Sequence, residues 1–197
     1  MSEYKRDLFT KVEQDGIIYS INEIEQTATV IKYISDIPKI FLLTSIKHEL
    51  NEYYVTSIST EAFKLCHINT IEFSEDSKLQ FIHEYAFDGS TIESIIIPSE
   101  VTFIGKHAFS CCKQLRHIEF SKDSKLQTIE KYAFSGTSIE SITIPSKVTF
   151  IGENAFNFCY QLQHIEFLNE SNLQTIEKYA FNGTSIERIT IPSKITD

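Results

Sequence analysis

Tryptophan is absent from the sequence and methionine occurs once, whereas phenylalanine occurs fifteen times and tyrosine nine times in 197 residues. So uneven a choice of large side chains means that a few core positions are filled repeatedly by one residue type, which indicates an internal repeat. Hydrophobic residues make up 42% of the chain, enough for a sizeable core. The composition therefore predicts a protein that folds unaided.

Basic residues are scarce: 18 lysines and arginines oppose 27 aspartates and glutamates, for a net charge of -9. Phosphate binding needs clustered lysine and arginine, so this balance argues against a nucleic-acid or anionic-membrane surface. No run of 18 apolar residues is present, which predicts no membrane span. The charged amino terminus leads into no apolar stretch of signal-peptide length. These absences predict a cytoplasmic protein, unless the sequence is a fragment or leaves the cell without a leader.

The dipeptide Ala-Phe recurs along most of the chain. Successive alanines are separated by 24, 22, 25, 22 and 25 residues, so a short unit alternates with a long one. A shift of 47 residues, one short and one long unit, matches roughly 60% of the positions between residues 80 and 173. The pairs are Ala62-Phe63, Ala86-Phe87, Ala108-Phe109, Ala133-Phe134, Ala155-Phe156 and Ala180-Phe181.

Every unit contains a segment of the form apolar-x-x-apolar-x-apolar, the spacing of a leucine-rich-repeat strand. We expect these strands to stack about 4.8 Å apart in a parallel sheet on the concave face, with extended or short-helical returns on the convex face. Pro98, Pro145 and Pro192 follow the strands of the short units, where a missing N–H ends the ladder. The predicted strands are Ile68–Phe73, Ile92–Ile97, Leu115–Phe120, Ile139–Ile144, Leu162–Phe167 and Ile186–Ile191.

Glycines are expected to form turns in the returns. Gly89, Gly136 and Gly183 follow the repeated phenylalanine, and Gly105 and Gly152 follow an isoleucine. A positive φ is predicted at all five, because glycine adopts it without steric cost.

Residues 1–54 fit the repeat poorly and are interpreted as an amino-terminal cap, with residues 55–197 forming the repeat domain. Alternation in Gly16–Ile21 and Thr27–Ile31 predicts a hairpin. Lys39–Leu43 is interpreted as a divergent first strand and Tyr54–Ile58 as its return. A cap covers the apolar cross-section that a solenoid otherwise exposes.

The sequence ends at Asp197, before another Ala-Phe pair. We expect either that the protein continues or that a partner covers this end. An uncovered parallel edge is also a pairing site, which predicts self-association through this end.

The string Ile95-Ile-Ile-Pro-Ser-Glu-Val-Thr-Phe-Ile-Gly-Lys-His-Ala-Phe109-Ser-Cys-Cys-Lys-Gln-Leu115 resembles the BspA-like, or Treponema pallidum-type, leucine-rich repeat. The resemblance extends from Val55 to Asp197. It implies a solenoid, and a place among bacterial and protist surface proteins that adhere to host or neighbouring-cell proteins. The motif contains no catalytic residues, so the resemblance implies no enzyme and no cofactor.

Cysteines and histidines do not form a reactive centre in this arrangement. Cys66, Cys112 and Cys159 each lie three residues after a repeat phenylalanine, on alternate rungs about 10 Å apart. That exceeds the Cα separation of about 7 Å that a disulfide tolerates, so buried reduced thiols are predicted, with Cys111 as a free surface thiol. His117 and His164 are separated in the same way, which argues against a shared zinc ion.

The outward strand positions form the candidate binding surface. Six glutamates against two arginines make this face acidic, and solenoids use such extended faces to dock partners. The leading hypothesis is a protein-interaction or adhesion module that binds a basic protein segment. The alternatives are a solvated face without a ligand and a purely architectural or self-associating repeat fragment. The candidate partner-binding residues are Glu72, Glu93, Arg116, His117, Glu119, Glu140, His164, Glu166, Glu187 and Arg188.

Overall fold

Each repeat unit forms one rung of a β-solenoid, with a four-residue strand in one sheet and a two-residue strand in a second sheet. The computed structural model of the chain describes residues 9–192. In both kinds of strand, isoleucines point into the core and alternate with outward side chains. The strands are β1 (Phe9–Gln14), β2 (Ile17–Asn22), β3 (Thr27–Tyr33), β4 (Lys39–Leu42), β5 (Ser45–His48), β6 (Asn51–Ile58), β7 (Thr70–Phe73), β8 (Phe81–Ile82), β9 (Ser94–Ile97), β10 (Phe103–Ile104), β11 (His117–Phe120), β12 (Thr128–Ile129), β13 (Ser141–Ile144), β14 (Phe150–Ile151), β15 (His164–Phe167) and β16 (Thr175–Ile176).

The longer repeat strands form the parallel sheet that the sequence predicts for the concave face, here called the strand face. β4, β7, β9 and β11 lie in one sheet, with Ile40, Ile71, Ile95 and Ile118 in register, and β13 pairs with β15. Ile186–Ile191, the sixth predicted strand, forms no ladder within the described residues.

The returns form a second sheet. β8, β10, β12, β14 and β16 pair in parallel, and through β6 they join the amino-terminal strands in one ten-stranded sheet. The extended character of the returns is confirmed, whereas the expectation of short helices there is wrong, since residues 9–192 contain no helix. The assembly of the returns into a continuous sheet was not predicted from the sequence. None of the described residues belongs to a helix long and apolar enough to cross a membrane.

The amino-terminal strands continue this second sheet. β2 and β3 form the predicted antiparallel hairpin, β1 adds to its edge, and β3 pairs in parallel with β6. The segment interpreted as a divergent first strand is β4, which pairs in parallel with β7. Residues 193–197, on which the expected self-association through the carboxyl end depends, lie outside the described residues.

The core is organised around a column of phenylalanine rings. Rings on successive rungs are stacked, with centroids 4.9 to 5.4 Å apart and planes within 10° of parallel. The first five rings are held in place because the phenylalanine N–H donates to the alanine carbonyl of the next rung, at 2.7 to 2.8 Å. The column comprises Phe63, Phe87, Phe109, Phe134, Phe156 and Phe181, of which the first five are fully buried.

Two of the glycines serve a purpose other than the one predicted. Gly89, Gly136 and Gly183 have the expected positive φ, whereas Gly105 and Gly152 do not. A Cβ atom on Gly152 would lie 2.6 Å from the backbone nitrogen of Lys131, on the preceding rung. Gly105 meets the backbone of its preceding rung in the same way, at 2.8 Å. These two glycines are therefore required for close packing between rungs.

Prolines alter the strand-face ladder at every second junction. From a short to a long unit, the residue after the strand donates backward: Ser121 N to Ile97 O at 2.9 Å and Leu168 N to Ile144 O at 3.2 Å. From a long to a short unit the equivalent residue is Pro98 or Pro145, which has no N–H. Pairing of β7 with β9 accordingly ends at Ile71 and Ile95, and β11 and β13 lie in separate sheets.

The phenylalanine column predicts that Phe134→Ala lowers the free energy of unfolding by about 3 to 5 kcal/mol, because a stacked ring is replaced by a cavity. Phe158→Ala is the matched control, since Phe158 is 48% exposed, and should change it by less than about 1 kcal/mol. Urea denaturation followed by circular dichroism measures both. Similar losses for the two variants would contradict the register of the core.

Close packing between rungs predicts that Gly152→Ala lowers the free energy of unfolding by about 3 kcal/mol, since backbone on the neighbouring rung has to move. Gly136→Ala should lower it by only about 1 kcal/mol, the cost of an L-residue at positive φ. A Cβ at Gly136 has its nearest neighbour 3.9 Å away. If Gly136→Ala proved the more damaging in the same denaturation experiment, this assignment of the two glycines would be wrong.

Candidate interaction surface

The strand face presents its outward side chains in columns that run from rung to rung. All ten candidate residues predicted from the sequence are exposed. Eight of them lie on or directly before strands β7 to β15, and the remaining two, Glu187 and Arg188, lie in the unpaired segment that follows Ser185.

Long and short units alternate in what they present. In the ladders, His117 of a long unit is in register with Ser94, and His164 with Ser141. In the next outward column, Glu119 is in register with Ile96, and Glu166 with Thr143. In these two columns, the histidines or glutamates of successive long units are therefore separated by a short unit that carries a small or apolar side chain.

The glutamates of the strand face are mostly free of neutralising partners. Lys39 on β4 forms an ion pair with Glu72, with Nζ 2.7 Å from Oε1. Among residues 9–192, no ion pair joins the other five strand-face glutamates to a lysine or arginine. This pairing was not predicted from the sequence, because Lys39 lies on the divergent first strand, outside the repeat pattern. A net negative face remains, with Arg116 and Arg188 as its cationic points.

Clefts open on this face where the prolines interrupt the ladder. The first, of about 630 Å³, lies over β9 between the loops that follow β7 and β11. The second, of about 700 Å³, lies between β11 and β13. A third, of about 390 Å³, lies between the loop after β15 and Pro192. The clefts were not predicted from the sequence, because they depend on how the loops of neighbouring long units lie around each short unit.

Two apolar side chains interrupt the polar surface. Ile96, in the first cleft, is 56% exposed, and Phe41 on β4 is 55% exposed. Ile96 lies between Glu72 and Glu119 in the same outward column, and these two glutamates also line the first cleft. This neighbourhood can accept a side chain that has both an apolar stem and a positive charge.

The cysteines are placed largely as predicted. All four are free, Cys111 is exposed, and Cys112 and Cys159 are fully buried, whereas Cys66 is only half-buried. Cys112 Sγ donates to the Phe87 carbonyl oxygen at 3.0 Å and lies 3.5 Å from Ser90 Oγ, the side chain at the equivalent position of the preceding rung. Burial raises the pKa of the Cys112 thiol to about 12. A thiol held protonated in this way is a poor nucleophile.

Metal-binding side chains do not converge in the part of the chain that the structure describes: no group of three or more His, Cys, Asp and Glu could hold an ion there. His117 and His164 belong to different pieces of the strand-face sheet.

A stack of three aromatic side chains on successive rungs was not predicted. His107 lies between Tyr85 and Tyr132, with both centroid separations at 4.7 Å. All three residues have a φ between 55° and 57°, and their N–H groups donate to carbonyls of the next rung. Burial lowers the pKa of His107. The stack consists of residues that immediately precede Ala-Phe, so the sequence signal was their shared position in the unit.

Comparison with known proteins is consistent with this geometry. The family model described as "BspA type Leucine rich repeat region" matches residues 32–125 and 80–197, with six copies. No curated protein matches the chain in sequence.

Solved structures of bacterial proteins share the fold. The pneumococcal vaccine antigen PcpA is 24% identical over 82% of this chain and 51% of its own, with a TM-score of 0.69. A leucine-rich-repeat protein from Eubacterium ventriosum is 19% identical over 94% of this chain and 52% of its own, with a TM-score of 0.67. One from Bacteroides ovatus is 21% identical over 99% and 60%, with a TM-score of 0.53. The chain thus spans about half the length of the first two proteins.

Thiol burial predicts an order of reactivity with iodoacetamide. Cys111 should be alkylated in the native protein at least about a hundredfold faster than Cys112 or Cys159, which need unfolding to react. Mass spectrometry of timed samples measures the order, and the same reaction in urea is the control, in which all four thiols should react. Rapid native alkylation of Cys112 would contradict its inward placement.

Proposed function

The chain belongs to the BspA-type leucine-rich-repeat family, and we propose that it is a protein-interaction module that docks a basic segment of a partner protein on the strand face. Membership of this family supports a role as a surface or protein-interaction repeat protein. We further propose that the module is displayed at a cell surface, where it acts in adhesion. Catalysis forms no part of this proposal, since the family is a family of binding repeats.

The supporting observation is the row of unneutralised glutamates across consecutive rungs. Glu93 and Glu140 are exposed on successive short units, Glu119 and Glu166 on successive long units, and Glu187 continues the series. Holding like charges close together is unfavourable for an isolated protein, and a partner that supplies positive charge relieves the repulsion. Since the backbone ladder fixes these positions in advance, little conformational entropy is lost when a partner docks.

Electrostatic attraction also determines the expected kinetics. Complementary charge mainly raises the association rate, and salt weakens it because the Debye length is about 8 Å at physiological ionic strength. The exposed apolar side chains on the same face, Ile96 and Phe41, offer contacts that salt does not weaken. The proposed complex therefore combines charge steering with a small apolar contact.

Charge reversal tests the proposal. A variant with Glu93→Lys, Glu140→Lys and Glu187→Lys should bind the partner isolated with the wild-type protein at least about tenfold more weakly. Surface plasmon resonance at two salt concentrations measures the affinity. The free energy of unfolding should stay within about 1 kcal/mol of the wild type, because all three side chains are exposed.

The matched control reverses three exposed glutamates away from the strand face: Glu23, Glu84 and Glu177. It makes the same change in net charge and should leave the affinity within about twofold of the wild type. Equal weakening by both triple variants would show that only net charge matters. Unchanged binding by the strand-face variant would contradict docking on this face and favour an architectural role.

A further inference from the structure

The clefts of the strand face recur with the period of the double unit. Each lies at a junction from a long to a short unit, where proline replaces the residue that would donate the closing ladder hydrogen bond. The loops after β7, β11 and β15 belong to long units and form the walls. Successive clefts are therefore two rungs apart, about 9.6 Å from the spacing of parallel strands.

Acidic side chains outnumber lysines along the row of clefts, and the excess lies in the first and third. Six carboxylates and two lysines line the three clefts together, and Glu119 and Lys122 lie on the wall shared by the first two. The second cleft is balanced, with two carboxylates and two lysines, so the first and third clefts are the ones that favour a positively charged occupant. Lys39 neutralises Glu72, so five carboxylates remain against the two lysines. The carboxylates are Glu72, Glu75, Glu119, Asp123, Glu166 and Glu170, and the lysines are Lys122 and Lys147.

Exposed apolar surface in the first cleft favours a long cationic side chain over a small cation. Ile96 lies at its base, 56% exposed, while Glu75 and Glu119 lie on its walls. Lysine and arginine pack their methylene stems on apolar surface while the charged group stays at the polar rim. A cleft of about 630 Å³ is large enough for one such side chain together with water.

The spacing of the clefts selects a backbone conformation. A polyproline II helix has three residues per turn and a rise of about 3.1 Å per residue, so every third side chain points the same way at intervals of about 9.3 Å. An extended β-strand spans a similar distance in three residues, but its residues i and i+3 point to opposite sides. Of these two conformations, only polyproline II sends equally spaced side chains into successive clefts.

We propose that the proline-interrupted clefts bind a polyproline II segment of a partner protein with lysine or arginine at every third residue, lying along the solenoid axis. This inference rests on the proposed docking of a basic segment and names its conformation and charge period. It assigns the alternation of long and short units a role in recognition, since a solenoid of identical rungs would offer no 9.6 Å period.

Peptides with matched composition test the period. Two fluorescent peptides of about twelve residues, both made of lysine and proline in a ratio of one to two, differ in sequence: one has lysine at every third position and the other has all lysines at one end. Fluorescence anisotropy with the full chain should show at least about tenfold tighter binding of the every-third peptide.

Ile96→Lys places a cation in the first cleft and should reduce this preference to within about twofold. Gln127→Lys, an equal charge change at an exposed residue beside β12, should leave the preference unchanged.

The outcomes separate this inference from the function on which it rests. Equal binding of both peptides overturns the cleft proposal and leaves an acidic docking face intact, because such a face needs charge but no period. Absence of binding by either peptide also overturns the cleft proposal, while the strand-face charge reversal reports independently on the proposed function. Displacement of the every-third peptide by a neutral linear oligosaccharide would overturn it in favour of a glycan ligand.

Discussion

Stacking of each rung on the next is the constraint from which the rest of this structure follows. One phenylalanine per rung lies against the phenylalanine of the neighbouring rung, and its N–H donates to the neighbouring alanine carbonyl. Both contacts require a nearly constant separation, so every unit has to place the same residue types at the same inward positions. Burial of five complete rings in one column supplies much of the hydrophobic stabilisation. Outward positions are released from this requirement and remain available for recognition.

Alternation of unit length gives the strand face a period of two rungs. The long units add residues only in loops, so the core stays in register while the loops rise above the sheet. The short units end their strands with proline, which removes a ladder hydrogen bond and lets neighbouring rungs separate. A surface that would otherwise be uniform along its axis therefore acquires clefts at regular intervals. Different residues therefore control fold stability and surface shape. Phe134 and its equivalents in the other rungs stabilise the fold, whereas Pro98 and Pro145 shape the surface.

Buried polar chemistry in this protein serves packing. Cys112 and Cys159 occupy slots next to Ser90 and Thr137, where their thiols donate to main-chain carbonyls of the preceding rung. Unpaired charged side chains lie at the surface instead. Among the described residues, most glutamates of the strand face form no ion pair. The thiols of Cys112 and Cys159 are buried, and burial raises the pKa of both.

Periodicity in the sequence determined the solenoid, the parallel strand face, the cap hairpin, the inward cysteines and the columns of outward residues, because each depends only on which positions recur. Contacts between rungs decided the rest. Gly105 and Gly152 are needed because the backbone of the preceding rung approaches within 3 Å of where a Cβ would lie. The pairing of Lys39 with Glu72, the stacking of His107 between two tyrosines and the clefts beside Pro98 and Pro145 likewise depend on distances between residues of different rungs. A repeat pattern fixes the order of residues within a rung, whereas the separation of one rung from the next is set by three-dimensional packing.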